Sequence, residues 1–183
     1  VDAINVPDSQ RAIMKMNPLV AARIIEDKLG IETVWQLTCR DRNLIALQAD
    51  LLGASALGLH NVLALTGDPI QVGDHKEIAR QVFHLDALRL LNLVKKLNNG
   101  MDATGKALKH GGTSFVTGSA LNPNRMSRHA QQKRIIQKLE IGIDFFQTQP
   151  VYNLEVVLQM NEMLDELSNQ VGCQKPTVLV GII

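Results

Sequence analysis

A repeat constrains this chain more than any other feature. Short apolar runs recur along it, and helical patterns fill the stretches between them. The runs are Ala3–Val6, Thr33–Leu37, Asn61–Leu65, Thr113–Gly118, Asp144–Thr148 and Thr177–Ile182. Most are bounded by polar, Gly or Pro residues, the pattern of strands buried on both faces. Their ends, at Val6, Leu37, Leu65, Gly118, Thr148 and Gly181, mostly fall roughly thirty residues apart, the length of one strand–helix unit in an eight-fold barrel. The expected fold is therefore α/β: a (β/α)8 TIM barrel, incomplete in this chain, with about six βα units. An open doubly wound sheet is the competitor, but it would usually carry a Gly-rich phosphate loop, and no GxGxxG is present. At 183 residues the chain can hold one sizeable core and is too short for two ordinary domains. Both ends fall inside strand-like runs, so the chain is expected to be cut from a longer one, with one barrel strand missing at each end.

The intervening helices carry start and stop signals. Asn17-Pro18 opens one that Gly30 closes. Asp41 is expected to cap the next, with Leu44, Leu47 and Leu51 inward. Asp86 opens a third, with Leu88, Leu91 and Val94 inward and Gly100 after its end. Ser127 is expected to begin a fourth, with Ile135 and Leu139 inward and Gly142 at its stop. Asn153 begins a fifth, carrying Val157, Met160 and Leu164. The longest interval, from Leu65 to Gly118, holds an insertion at Pro69–His84 rich in Gly, Asp and His. Long βα loops of this kind usually cover the functional face of a barrel.

Composition excludes several function classes. A formal net charge of +1 gives no field to draw nucleic acid or an acidic membrane. Aromatics are 3% of residues, too few for a base-stacking platform. No apolar run is long enough to span a bilayer, and no signal peptide is visible. Cys39 and Cys173 form no metal-ligand spacing, which points to reduced thiols and a cytoplasmic setting. His60, His75, His84, His110 and His129 do not pair at ligand spacing either, and Lys133-Arg134 reads as a solvated helix face. No Ser/His/Asp or Cys/His set assembles.

Polar residues cluster at the carboxyl ends of the strands, where this fold binds substrates. Asp68 is the sharpest of them. Gly67 allows a tight turn before it and Pro69 stops the strand. A carboxylate there can bind a cationic or NH-bearing ligand or steer proton transfer; it can equally be a turn aspartate bonding its own backbone. Gln149 offers an amide edge suited to a flat heterocycle, or to loop backbone. Thr38 and Cys39 are small residues at a strand end, and Lys138 by itself is a helix-face lysine.

In combination, these tips resemble the methylenetetrahydrofolate reductase family. The resemblance is carried by Asn61-Val62-Leu63-Ala64-Leu65-Thr66-Gly67-Asp68-Pro69, by Leu37-Thr38-Cys39-Arg40-Asp41, by Asp144-Phe145-Phe146-Gln147-Thr148-Gln149-Pro150-Val151-Tyr152 and by Val178-Leu179-Val180-Gly181-Ile182, in order along nearly the whole chain. It implies that residues 1–183 are a partial TIM-barrel domain binding flavin and folate. The implied cofactor is FAD, with FMN as the alternative. NAD(P)H would reduce the flavin, and 5,10-methylenetetrahydrofolate would then accept hydride to give 5-methyltetrahydrofolate. By the same resemblance Asp68 is the catalytic carboxylate beside flavin and pterin, and Gln149 binds the folate ring. Thr38, Gly67, Asp68, Ala120, Asn122 and Lys138 line the flavin.

The chain departs from the family pattern at Gln36, where many members have a flavin-contacting His. Thr66 replaces a frequent Arg, and Asn122 a frequent Tyr. These departures resemble a divergent branch, such as the reductase half of bifunctional bacterial enzymes or an acetogen-type subunit. The family's general acid, a Glu on the first strand, would precede Val1. The expected partners are NAD(P)H and the folate, without nucleic acid or membrane, in a homo-oligomer or a larger chain or complex. A non-redox pterin-binding methyl-transfer barrel and a non-catalytic complex subunit are the alternative readings.

Overall fold

A computed structural model describes residues 1–126 and 128–182. The chain divides into two compact units, Val1–Val116 and Thr117–Ile183. The start expected at Ser127 lies outside the described residues.

In the first unit, β1 (Ala3–Val6), β2 (Glu32–Thr38) and β3 (Asn61–Leu65) run parallel in chain order. Val6 stands opposite Trp35, and Thr38 opposite Leu65, so the carboxyl ends are aligned. Helices α1 (Pro18–Leu29) and α2 (Leu44–Ala56) link them, and α3 (Ala87–Asn98) follows β3. The Asn17 side chain accepts from Leu19 N at 2.9 Å, and Asp86 from Arg89 N at 2.9 Å, as expected of caps each contributing about 1 kcal/mol. The cap of α2 is Asn43, which accepts from Ala46 N, and not Asp41. The Asp41 carboxylate is instead taken by the adjacent Arg40 guanidinium. Leu47, Leu51, Val62, Leu91, Val94 and Leu97 fill the core, while Leu44 and Leu88 are only half-buried. Trp35 is wholly buried and meets Phe115 edge-on, with ring centroids 6.2 Å apart.

The second unit holds the same repeat. β4 (Val116–Leu121), whose first residue closes the other unit, β5 (Phe145–Thr148) and β6 (Thr177–Leu179) are parallel, with α4 (His129–Ile141) and α5 (Leu154–Val171) between them. Buried Ile135 and Leu139 of α4, and Met160 and Leu164 of α5, face inward; Val157 is half-buried.

The expectation that this strand ends at Gly118 is corrected here: β4 continues to Leu121. Gly118 lies directly opposite Phe145, and a Cβ on it would run into the Phe145 ring. The glycine makes room for an aromatic neighbour within a strand. The segment Thr113–Phe115 is also outside the strand, held by Asn98, whose side chain accepts from Phe115 N and donates to Phe115 O. β6 stops at Leu179, short of the expected Ile182, because the Gly181 amide turns to donate to Thr148 Oγ1 at 2.9 Å. In both units strand and helix alternate as in a TIM-like barrel.

Candidate functional site

Candidate residues stand at the strand tips of both units. In the first unit the tip of β2 is held by charge. Asp8, only 4% exposed, accepts from Thr38 N at 2.8 Å and from Thr38 Oγ1 at 2.8 Å. Arg42 Nη1 donates to Asp8 Oδ2 at 2.7 Å, and Arg42 Nε to Asp50 Oδ2 at 2.7 Å. Thr38 is buried and its hydroxyl is spent on Asp8, so it stiffens the strand tip.

Gly67 sits against this tip. Its φ of 94° lies in the left-handed region, and a Cβ there would lie 3.0 Å from Thr38 Cβ and 3.1 Å from Arg40 Cβ. Backbone conformation and space both require glycine. Asp68, next in the chain, is exposed, and its Oδ2 accepts the Arg11 N–H at 2.6 Å. The bond reaches across from the loop after β1, so Asp68 is not a turn aspartate bonding its own backbone. Among the described residues its Oδ1 has no hydrogen-bond partner. Thr66 Oγ1 accepts from Ala87 N at 3.1 Å and ties the β3 tip to the start of α3.

The inserted loop is built onto the same tips. Ile70–Val72 forms a short 3-10 turn, and Val82 N donates to Arg40 O at 2.6 Å. Arg40 is 2% exposed, pairs with Asp41 and donates to Ser9 O at 3.1 Å. A cavity of about 240 Å³ opens between these loops. Its wall is mainly apolar, from Ala12, Ile13, Met14, Ile70 and Ala79, with the Arg40–Asp41 pair as its charged part. Cys39 is buried beside it in sequence, and its thiol is pushed up to about 12, first by burial and then by the charge of Asp86. That thiol is inert as a nucleophile. Among the described residues no group of His, Cys, Asp and Glu could hold a metal ion.

In the second unit two of the sequence-predicted residues meet. Lys138, on α4, donates from Nζ to Ala120 O at 2.7 Å, and its ammonium lies 5.8 Å from the centre of the Phe146 ring. Loss of water on burial pulls its pKa down to about 8, and the positive charge of Arg134 adds to the effect. Asn122, just past the end of β4, accepts from Asn124 N at 3.1 Å. Gln149 follows β5 with an exposed side chain, its backbone N donating to Leu121 O at 2.8 Å. Val151 N donates to Gly181 O at 2.9 Å and pins the loop that carries Gln149.

Sequence reasoning passed over Asp8, Arg42 and Asp50. Their carboxylate–guanidinium partners lie eight and thirty-four positions apart, beyond any local motif. The available hint was a carboxylate and a guanidinium flanking an apolar strand end.

Among the described residues no helix is long and apolar enough to cross a membrane. An uncharacterized protein from Clostridium thermocellum that binds two copies of 5-methyl-5,6,7,8-tetrahydrofolic acid shares the fold. Its TM-score is 0.68 at 15% identity, over 98% of this chain and 53% of that one. The chain thus spans about half the length of that relative. AbfB, a family 51 α-L-arabinofuranosidase from Bifidobacterium longum, reaches only 0.49 at 10% identity, over 90% of this chain and 37% of that one, and bears no weight. The family model for methylenetetrahydrofolate reductase matches residues 2–182. The chain belongs to the methylenetetrahydrofolate reductase family.

Proposed function

We propose that this chain forms part of a flavin-dependent reductase that converts 5,10-methylenetetrahydrofolate to 5-methyltetrahydrofolate at the expense of NAD(P)H. The observation that carries the reading is the β3 tip: an exposed Asp68 carboxylate, set by Gly67, in a chain whose family reduces this substrate. An Asp68 with Oδ1 open to solvent favours the cationic iminium form of the folate, which accepts hydride. Gln149, exposed past β5, offers donor and acceptor together to a pterin edge.

Flavin fits the second unit better than the first. A lysine ammonium has three N–H donors, and Lys138 gives one to Ala120 O. Lys138 and Asn122 would hold the flavin's anionic and carbonyl groups, whereas the Thr38 hydroxyl is already committed to Asp8. When bound, the flavin supplies hydride transfer, and the protein supplies placement and charge. FAD is the form proposed, in a cytoplasmic enzyme.

A second reading, a methyl-transfer barrel without redox chemistry, draws on the Clostridium thermocellum relative, whose ligand is the methylated folate. Colour separates the two. The purified full-length protein should be yellow and should oxidise NAD(P)H with a quinone acceptor; protein that neither carries nor takes up flavin ends the reductase reading. Asp68→Asn should slow folate reduction about a hundredfold while sparing flavin reduction by NAD(P)H. Equal slowing of both half-reactions would remove Asp68 from its role.

A further inference from the structure

The loop after β1, residues 7–17, is built in a way that folate recognition by Asp68 and Gln149 does not explain. It begins with a buried carboxylate, Asp8, clamped by Thr38 and Arg42. Three positions on, the Arg11 N–H reaches Asp68 Oδ2. Between and beside these two anchors the backbone is strained. Ser9, Arg11 and Ala12 have φ of 46°, 58° and 53°, a region that residues with side chains enter at a cost. Neighbours hold it there: Arg40 donates to Ser9 O at 3.1 Å, and Gly73 packs so closely that a Cβ would strike Ala12 O. The Arg11 side chain itself is exposed, so what the loop presents at this point is a backbone donor.

A buried charge is a poor source of net stability, since its desolvation offsets most of its attraction, but it is an effective way to specify one arrangement. We infer that Asp8 is a positioning residue for Asp68. By fastening the start of the loop to the β2 tip, it delivers the Arg11 amide to Asp68 Oδ2. That bond fixes the carboxylate with Oδ1 outward, toward a ligand. Asp8 touches no ligand and acts only through this bracket. The inference rests on the folate role proposed for Asp68 in its functional part; its structural part stands alone.

Two measurements on the full-length protein test it. The first is hydrogen exchange at the Arg11 amide. Exchange should speed up about tenfold or more in both Asp8→Asn and Asp68→Ala, as expected when a local closed state is lost. Arg11→Gly, which keeps the amide and tolerates positive φ, should leave it protected and should restore protection in the Asp8→Asn background. The second is a double-mutant cycle on the half-reactions. Asp8→Asn should slow folate reduction about tenfold without changing flavin reduction, and should add nothing in an Asp68→Asn background. A residue that only supports the fold would slow both half-reactions and add in full to Asp68→Asn. Unchanged Arg11 exchange in Asp8→Asn, or additivity in the cycle, overturns the inference. Wild-type protein that binds no folate ends the folate reading, and the exchange result then decides the bracket alone.

Discussion

The two units repeat one strand–helix pattern but secure their strand tips by different means. In the first, an ionic cluster of Asp8, Arg42 and Asp50 locks Thr38, and a strained loop brings a backbone amide to Asp68. In the second, the tips are tied mainly by backbone hydrogen bonds, Gln149 N to Leu121 O and Val151 N to Gly181 O, with the Thr148 hydroxyl and one lysine, Lys138 to Ala120 O, beside them. The difference teaches where rigidity is specified. Charges partly removed from water lose energy steeply when geometry slips, so they define one arrangement; neutral backbone hydrogen bonds tolerate small displacements. In the first unit charge fixes the place of a carboxylate; in the second, backbone bonds pin the loop that carries Gln149.

The comparison breaks most sharply at Asp8. Asp8→Ala leaves the Arg42 guanidinium with the Asp50 carboxylate and Thr38 as its partners and should cost about 3 kcal/mol in urea unfolding, because one partner of a largely buried pair is removed. A loss below that of an exposed ion pair would mean that the cluster does not secure the first unit. In the second unit the most sensitive point is steric. Gly118→Ala should cost about 2 kcal/mol through crowding of the Phe145 ring, with much of the loss recovered by adding Phe145→Leu. An additive double variant would mean that the ring is not what excludes a side chain there.

Lys138 sharpens the contrast through pH. Its folded pKa of about 8 lies below the ordinary 10.5. Between those values the unfolded chain binds a proton that the folded chain has released, so stability rises with pH across that window and is flat in this respect below it. The slope should vanish in Lys138→Met when urea midpoints of the two proteins are compared over the window. The smallest effect concerns the thiols. Alkylation of the native protein should proceed at partly exposed Cys173 in the second unit and leave buried Cys39 in the first untouched. Labelling of both at similar rates would show that the β2 tip opens readily.

Much of the repeat was legible because it rests on local chemistry. β1 and β3 lie where their apolar runs predict, and the Asn17, Asp86 and Asn153 caps follow from residue type and position. The errors arise where a distant partner decides. Gly118 reads as a strand end until Phe145 is opposite it, and Asp41 reads as a cap until Arg40 claims it. At the candidate site, Asp68 and Gln149 stand out because turn residues flank them at strand ends. The bracket around Asp68 was hidden, since a contact between positions 11 and 68 leaves no trace in either neighbourhood.

The buried indole of Trp35 has a practical consequence. It is the single tryptophan of the chain and lies in the first unit, packed against Phe115. The single tyrosine, Tyr152, lies in the second unit and is 80% exposed. Each unit thus contains its own chromophore, one sealed from solvent and one bathed in it. Light that excites only indoles will report the melting of the first unit and be blind to the second, so the two can be watched separately without adding a dye.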